Sequence, residues 1–299
     1  MKKLSYLIHY AIVRAFARFV NFLPFPLALF LARPVGVSLS YMLKRKRDKC
    51  VDNLHHAFGI QKSEKEISRI TRESFVHMAE FAVEWFRLPQ IARIPERYLS
   101  VNNEQKIHEA LKQGKGAIIL ASHNGNWEIM SLIVGLLIAK PVGVPIYALA
   151  RPQKNSFLYD YTLRLRGLTG LKSIDKRGGA RATFRHLKNN NIVCILMDQR
   201  VREGSVEATF FGRKALTTSL PAIAARRLGT PVFYVFLKRM KGLRYVMNVE
   251  GPIPMANVPD RNIDLALNTQ RFNDLLEVEI RKDPSQWLWT YSRWKGAEN

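Results

Sequence analysis

Residues 116–130 read GAIILASHNGNWEIM: an apolar run stops at small and polar residues, and apolar residues then resume. Ala117 to Leu120 have the composition of a strand at the centre of a sheet, and the glycine and asparagines after them mark a turn. Beyond Trp127 the text IMSLIVGLLIA is long enough for a helix packed on that sheet. Strand, tight turn and helix form the repeating unit of α/β folds, which build their sites at the carboxyl ends of the strands. His123 and Glu128 lie across such a junction.

The same texture extends outward. EQKIHEALKQG reads as a helix before the strand, and PIYALA, LKSI, NIVCILMD, PVFYVFLK and RYVMNVE read as further strands. NSFLYDYTLRLRG and ARATFRHLKNN are helices between them, and another is expected near 262–281. Upstream, residues 63–89 begin with Ser63 and Glu66, a capping pair, followed by apolar positions at helical spacing. Helices alternating with buried strands predict an α/β protein whose sheet is covered on both faces. With no repeat or linker in view, the expected organisation is an α/β domain over 61–299 preceded by a helical segment over 1–60.

That segment has a basic start, no small-residue cleavage site, and a longest unbroken apolar stretch, FLPFPLALFLA, of 11 residues with two prolines. This is too short to span a bilayer alone. Amphipathic helices lying in a membrane interface fit best, with the cations Lys44 to Arg47 behind them. A buried helical pair and a single tilted span are the other two dispositions open at this stage. The whole chain carries 47 Lys+Arg against 24 Asp+Glu, a net charge of +23. Such a field suits an anionic partner: nucleic acid, an anionic membrane, a phosphorylated substrate or an acidic carrier protein. Cys50 and Cys194 have no metal-ligand spacing, and Cys194 sits in an apolar run as a buried thiol.

His123 and Glu128 can meet only if the histidine lies in the turn and the glutamate in the first turn of the helix, which SHNGN permits. A carboxylate on one imidazole nitrogen would fix the tautomer and leave the other free to take a proton from a hydroxyl. The helix start would offer N–H groups to a phosphate or oxyanion. A polar N-cap, with Glu128 favouring the helix dipole, accounts for the same residues.

SHNGNWE (122–128) resembles the His-x-x-x-x-Asp/Glu signature of bacterial membrane acyltransferases. More narrowly, the chain is similar to the lipid A biosynthesis acyltransferase family, the late lauroyl and myristoyl transferases of lipopolysaccharide assembly. RKRDKCVDNLHHAF (45–58), YALARPQKN (147–155), MDQR (197–200), FFGRKALTTS (210–219) and PSQWLWTYSRWK (284–295) carry the likeness onward in the family's order. The resemblance implies a mixed central sheet flanked by helices, like that of glycerolipid acyltransferases, with membrane-associating helices at the N-terminus. It implies transfer of a fatty acyl chain from acyl carrier protein, less often coenzyme A, to a hydroxyl of a Kdo-lipid A precursor. The place would be the cytoplasmic face of a bacterial inner membrane, with its anionic surface as a partner. His123 and Glu128 fall on the family's catalytic pair, and Asp198 on its strand-end acid. The substrate-holding arginine falls on Arg164 or Arg166, with Arg151 a further cation for phosphates. Neither metal nor cofactor belongs to the reaction.

The residues agree with that chemistry. Acyl transfer from a thioester needs a base for the alcohol and donors for the oxyanion. No serine or cysteine stands in a nucleophile setting, so direct attack by the acceptor hydroxyl is the simpler route. A solvated helix face is the plain alternative for Arg151, Arg164 and Arg166. Two other functions are weighed: transfer to another glycolipid or lysophospholipid acceptor, and a non-enzymatic nucleic-acid binder. The charge allows the binder, but the chain has no RNP-type strand, zinc finger or basic recognition helix.

Overall fold

The computed structural model describes residues 2–150, 153–175, 178–201, 203–240 and 243–294. Four helices come first: α1 (Lys2–Phe22), α2 (Phe25–Met42), α3 (Lys44–Phe58) and α4 (Glu64–Phe86). Two short turns, α5 (Leu88–Arg93) and α6 (Pro95–Tyr98), lead to β1 (Leu99–Asn102) and α7 (Gln105–Leu111). Then follow β2 (Ala117–Ala121), α8 (Trp127–Ile133), β3 (Ile146–Ala150), α9 (Ser156–Gly167), β4 (Leu171–Asp175), α10 (Gly179–Lys188) and β5 (Ile192–Leu196). The remainder is β6 (Ser205–Phe210), β7 (Arg213–Thr218), α11 (Leu220–Leu228), β8 (Val232–Arg239), β9 (Tyr245–Glu250) and α12 (Arg261–Lys282).

Seven strands form a mixed, mostly parallel sheet in the order β1-β9-β8-β2-β5-β3-β4, with β8 and β9 antiparallel. The quoted stretch lies at its centre. Every residue of β2 is buried, because both faces of the strand are covered. Ala117, Ile119 and Ala121 face one apolar layer, while Ile118 and Leu120 face the other. β8 divides the same way, with Phe233, Val235 and Leu237 on the first side and Val232, Tyr234 and Phe236 on the second. β6 and β7 stand apart as an antiparallel hairpin.

α4 opens with the expected capping box between Ser63 and Glu66. Its residues reach both apolar layers, with Val83 and Phe86 in one and Ile67, Ile70 and Phe75 in the other. α1 and α2 bury Ala17, Val20, Phe25, Ala28 and Ala32 in the first layer. Their other faces show large apolar side chains to the outside, among them Ile12, Phe19, Phe22, Phe30 and Met42. α2 is long and apolar enough to cross a membrane by length and composition, and 28% of it is buried. Trp287, Trp289 and Trp294 are core residues of the second layer, and the first two are its largest fully buried side chains.

Candidate active site

β2 and β5 are parallel neighbours with Ala121 opposite Leu196. Two residues beyond each of those positions stand His123 and Asp198, so equal steps off two paired strands bring them together. His123 Nδ1–H donates to Asp198 Oδ1 at 2.8 Å, and the His123 backbone N–H donates to Oδ2 at 2.8 Å. The Trp287 indole N–H donates to the same Oδ2 at 2.9 Å. On the far side of the ring, the Gln199 amide lies 3.2 Å from His123 Nε2. Both neighbours specify one tautomer, with the proton on Nδ1 and the lone pair on Nε2.

Burial pushes the Asp198 carboxyl up, but the charge and hydrogen bond of the His123 ring, with the His123 backbone and Trp287 indole N–H groups, outweigh it and hold the group below the usual carboxylate range. A depressed folded value contributes stability that is complete above the unfolded value of about 3.9 and is lost as pH falls through the folded one. The difference in urea midpoint between the wild type and Asp198→Asn is therefore expected to be present at neutral pH and to shrink below about pH 4. A difference that holds unchanged into strong acid contradicts this reading.

The turn after His123 is braced by the C-terminal segment. Gly125 N–H donates to Gln286 O at 3.1 Å, and Leu288 N–H to His123 O at 3.2 Å. Gly125 has φ +71°, and a Cβ there would lie 3.2 Å from Leu237 O, so the turn requires glycine. Asn126 caps α8: its Oδ1 accepts the N–H groups of Glu128 and Ile129, both at 3.1 Å. Those two donors are thereby used within the chain, contrary to the expectation that the helix start offers them to an anion. Trp127 packs edge-on to the His123 ring, with centroids 4.7 Å apart.

The expected contact between Glu128 and His123 is not made. Glu128 is buried and paired with Arg166 in a forked arrangement, Nη2 to Oε1 at 2.6 Å and Nε to Oε2 at 3.1 Å. From the first turn of its helix, Glu128 reaches α9 across the site instead of turning back to the histidine, whose Nδ1 is already occupied by Asp198. Arg164, one of the two arginines left open by the sequence, is exposed and touches the Tyr10 hydroxyl at 3.3 Å. Arg166 is the one beside the site. Arg151 lies outside the described residues. Burial pushes the thiols of Cys50 and Cys194 up to about 12, so neither supplies a thiolate near neutral pH.

Three residues of this arrangement receive no role from the sequence. Gln199 simply follows Asp198 in MDQR, Trp287 is one of several tail tryptophans whose spacing assigns no role, and Asn126 reads as a turn residue.

Comparison with known proteins places the whole chain. The model of one protein family, described as bacterial lipid A biosynthesis acyltransferase, matches residues 1–296. A lipid A biosynthesis palmitoleoyltransferase of Escherichia coli is 26% identical over 282 residues, 91% of this chain and 86% of its own length. A phosphatidylinositol mannoside acyltransferase of Mycolicibacterium smegmatis is 25% identical over 231 residues, 75% of this chain and 72% of its own. The likeness to the crystal structure of the 1-acyl-sn-glycerophosphate (LPA) acyltransferase PlsC from Thermotoga maritima is slight. Its TM-score is 0.38 at 12% identity, over 84% of this chain and 96% of that one.

Proposed function

The chain belongs to the bacterial lipid A biosynthesis acyltransferase family, enzymes that transfer acyl groups, and from that premise we propose that it moves a fatty acyl chain from an acyl-carrier-protein thioester to a hydroxyl of a Kdo-lipid A precursor. The observation that carries the mechanism is the His123 ring, held through Nδ1 by Asp198 with its Nε2 lone pair turned to the Gln199 amide. The acceptor hydroxyl takes the place of the Gln199 amide at Nε2 and gives up its proton there as its oxygen attacks the thioester carbonyl. The tetrahedral intermediate expels the carrier thiolate, which takes the proton back from Nε2, so an ester and a thiol replace an alcohol and a thioester. Asp198 stabilises the imidazolium between the two transfers.

Glu128 and Arg166 take a second role. Their fork uses Nε and Nη2 of Arg166, so Nη1 is the group we assign to a lipid phosphate or the developing oxyanion. The outward apolar faces of α1 and α2 and the net charge of +23 support attachment to an anionic bilayer, here the cytoplasmic face of the inner membrane. A cavity of about 480 Å³ between α1, α2 and α4 is walled mostly by apolar side chains and suits a lipid chain. Two of its wall residues, Trp287 and Leu288, are those that hold Asp198 and His123.

The match to a phosphatidylinositol mannoside acyltransferase favours a second reading, in which the acceptor is another glycolipid. Membranes carrying the protein, given either acyl-carrier-protein or coenzyme A thioesters, separate the two. Tetra-acylated Kdo-lipid A is expected to gain the mass of one acyl chain. A gain on a mannosylated phosphoinositide alone moves the assignment to the second reading, and no gain on either acceptor rejects both.

A further inference from the structure

Beneath the catalytic turn lies a buried ionic cluster that the proposed chemistry does not use. Glu84, on α4, is fully buried. Its Oε1 accepts from the Arg239 guanidinium at 2.6 Å and from the Tyr245 hydroxyl at 2.7 Å, and its Oε2 accepts from Asn126 Nδ2 at 2.6 Å. Arg239 also reaches Glu80, which in turn pairs with Arg33 on α2 at 3.0 Å. Burial pushes the Glu84 carboxyl up, yet all three of its partners donate, an arrangement that only the ionised form satisfies.

Asn126 is what connects this cluster to the site. Its two amide ends are both in use, Oδ1 on the N–H groups of Glu128 and Ile129, Nδ2 on Glu84. An amide can sit either way round, and the reversed setting would put NH₂ against the two helix N–H groups. Glu84 removes that choice, because only the NH₂ end can face a carboxylate. We infer that Glu84 is a positioning residue for acyl transfer: the carboxylate orients the Asn126 amide, and through it the first turn of α8 with Trp127 against His123 and Glu128 against Arg166. The inference rests on the reaction proposed above. Its cause is local: an ionic group taken out of water is retained here by donors on three elements.

Exchanging donor and acceptor tests it. In Glu84→Gln the carbonyl oxygen is expected to stay with Arg239 and Tyr245, which turns an NH₂ toward Asn126 and sets two donors face to face. Turnover should fall about ten- to a hundredfold, with both KM values within about threefold of wild type, since misplacement affects the reacting geometry more than binding. In Glu84→Gln with Asn126→Asp the roles are reversed: the carboxylate introduced at position 126 accepts from the amide introduced at position 84 and still caps α8. Here kcat should return to within about threefold of wild type. A single variant with full turnover, or a double variant as slow as the single one, overturns the inference.

Amide hydrogen exchange on the same full-length proteins, without substrate, separates this from the reaction itself. Relative to the amides of β8, those of Glu128 and Ile129 should exchange faster in Glu84→Gln and be protected again in the double variant. That result supports the positioning role even where the wild type acylates neither acceptor, and unchanged exchange overturns it.

Discussion

Asp198→Asn is expected to lower kcat about ten-thousandfold, the scale seen when an orienting carboxylate of a histidine base is replaced by its amide. The reason lies in how the two oxygens are shared. Among the described residues, Oδ2 receives two donors, the His123 backbone N–H and the Trp287 indole, whereas Oδ1 receives only His123 Nδ1–H. An asparagine therefore keeps its carbonyl oxygen at the doubly bonded position and turns its NH₂ toward Nδ1. The imidazole answers by moving its proton to Nε2, where it blocks the lone pair to which the proposed reaction gives the acceptor's proton. The shape of the site is retained and the base is lost. Single-turnover formation of acylated lipid measures the effect, and a loss below about tenfold is incompatible with Asp198 as the orienting group.

Arg166→Met is expected to have the largest effect on stability. Glu128 is buried, and its fork with Arg166 is the ion pair the structure gives it. Removing one partner of a buried pair leaves an uncompensated charge, which costs about 3–5 kcal/mol. Arg166 keeps 23% of its side chain exposed, so water screens part of that penalty and about 2–3 kcal/mol is the expected loss. Urea unfolding reads it directly. Arg166→Met with Glu128→Gln removes both charges and should recover most of the stability, because a neutral pair no longer carries the unpaired carboxylate. Activity should stay low in both variants if the guanidinium holds phosphate or oxyanion. Recovery of turnover with stability would assign the pair a structural role alone.

The sheet is readable where strands are buried on both faces. β2, β5 and β8 are continuous apolar runs, and covering layers above and below dictate such runs. β1 escapes because LSVN is four residues long and pairs only with β9 at the sheet edge. The β6–β7 hairpin escapes for a different reason. It lies off the main sheet with alternating exposure, and it is tied to α12 through Thr209 with Asn273 and Gln270. Turn residue Phe211, at φ +49°, also has the left-handed conformation for which a sequence shows glycine or asparagine rather than phenylalanine.

For the site, the strand–turn–helix junction locates His123, and the strand end locates Asp198. Their partnership is not legible, because it depends on β2 and β5 being neighbours while the residues are 75 apart in the chain. Spacing suggests Glu128 for the histidine, and across 38 residues Arg166 takes it instead. Glu84 gives no signal at all. In VEWF it looks like one acid on an amphipathic helix, and only the packed α4 shows that it points inward.

The proposed reaction requires that His123 and Asp198 act as one unit and that Glu128 does not belong to it. The most direct test is a double-mutant cycle on single-turnover acyl transfer with His123→Ala, Asp198→Asn and Glu128→Gln. His123→Ala with Asp198→Asn should be no slower than His123→Ala alone, since members of one unit lose their effect together. Losses that multiply for His123 and Asp198, with non-additivity instead between His123 and Glu128, would contradict it.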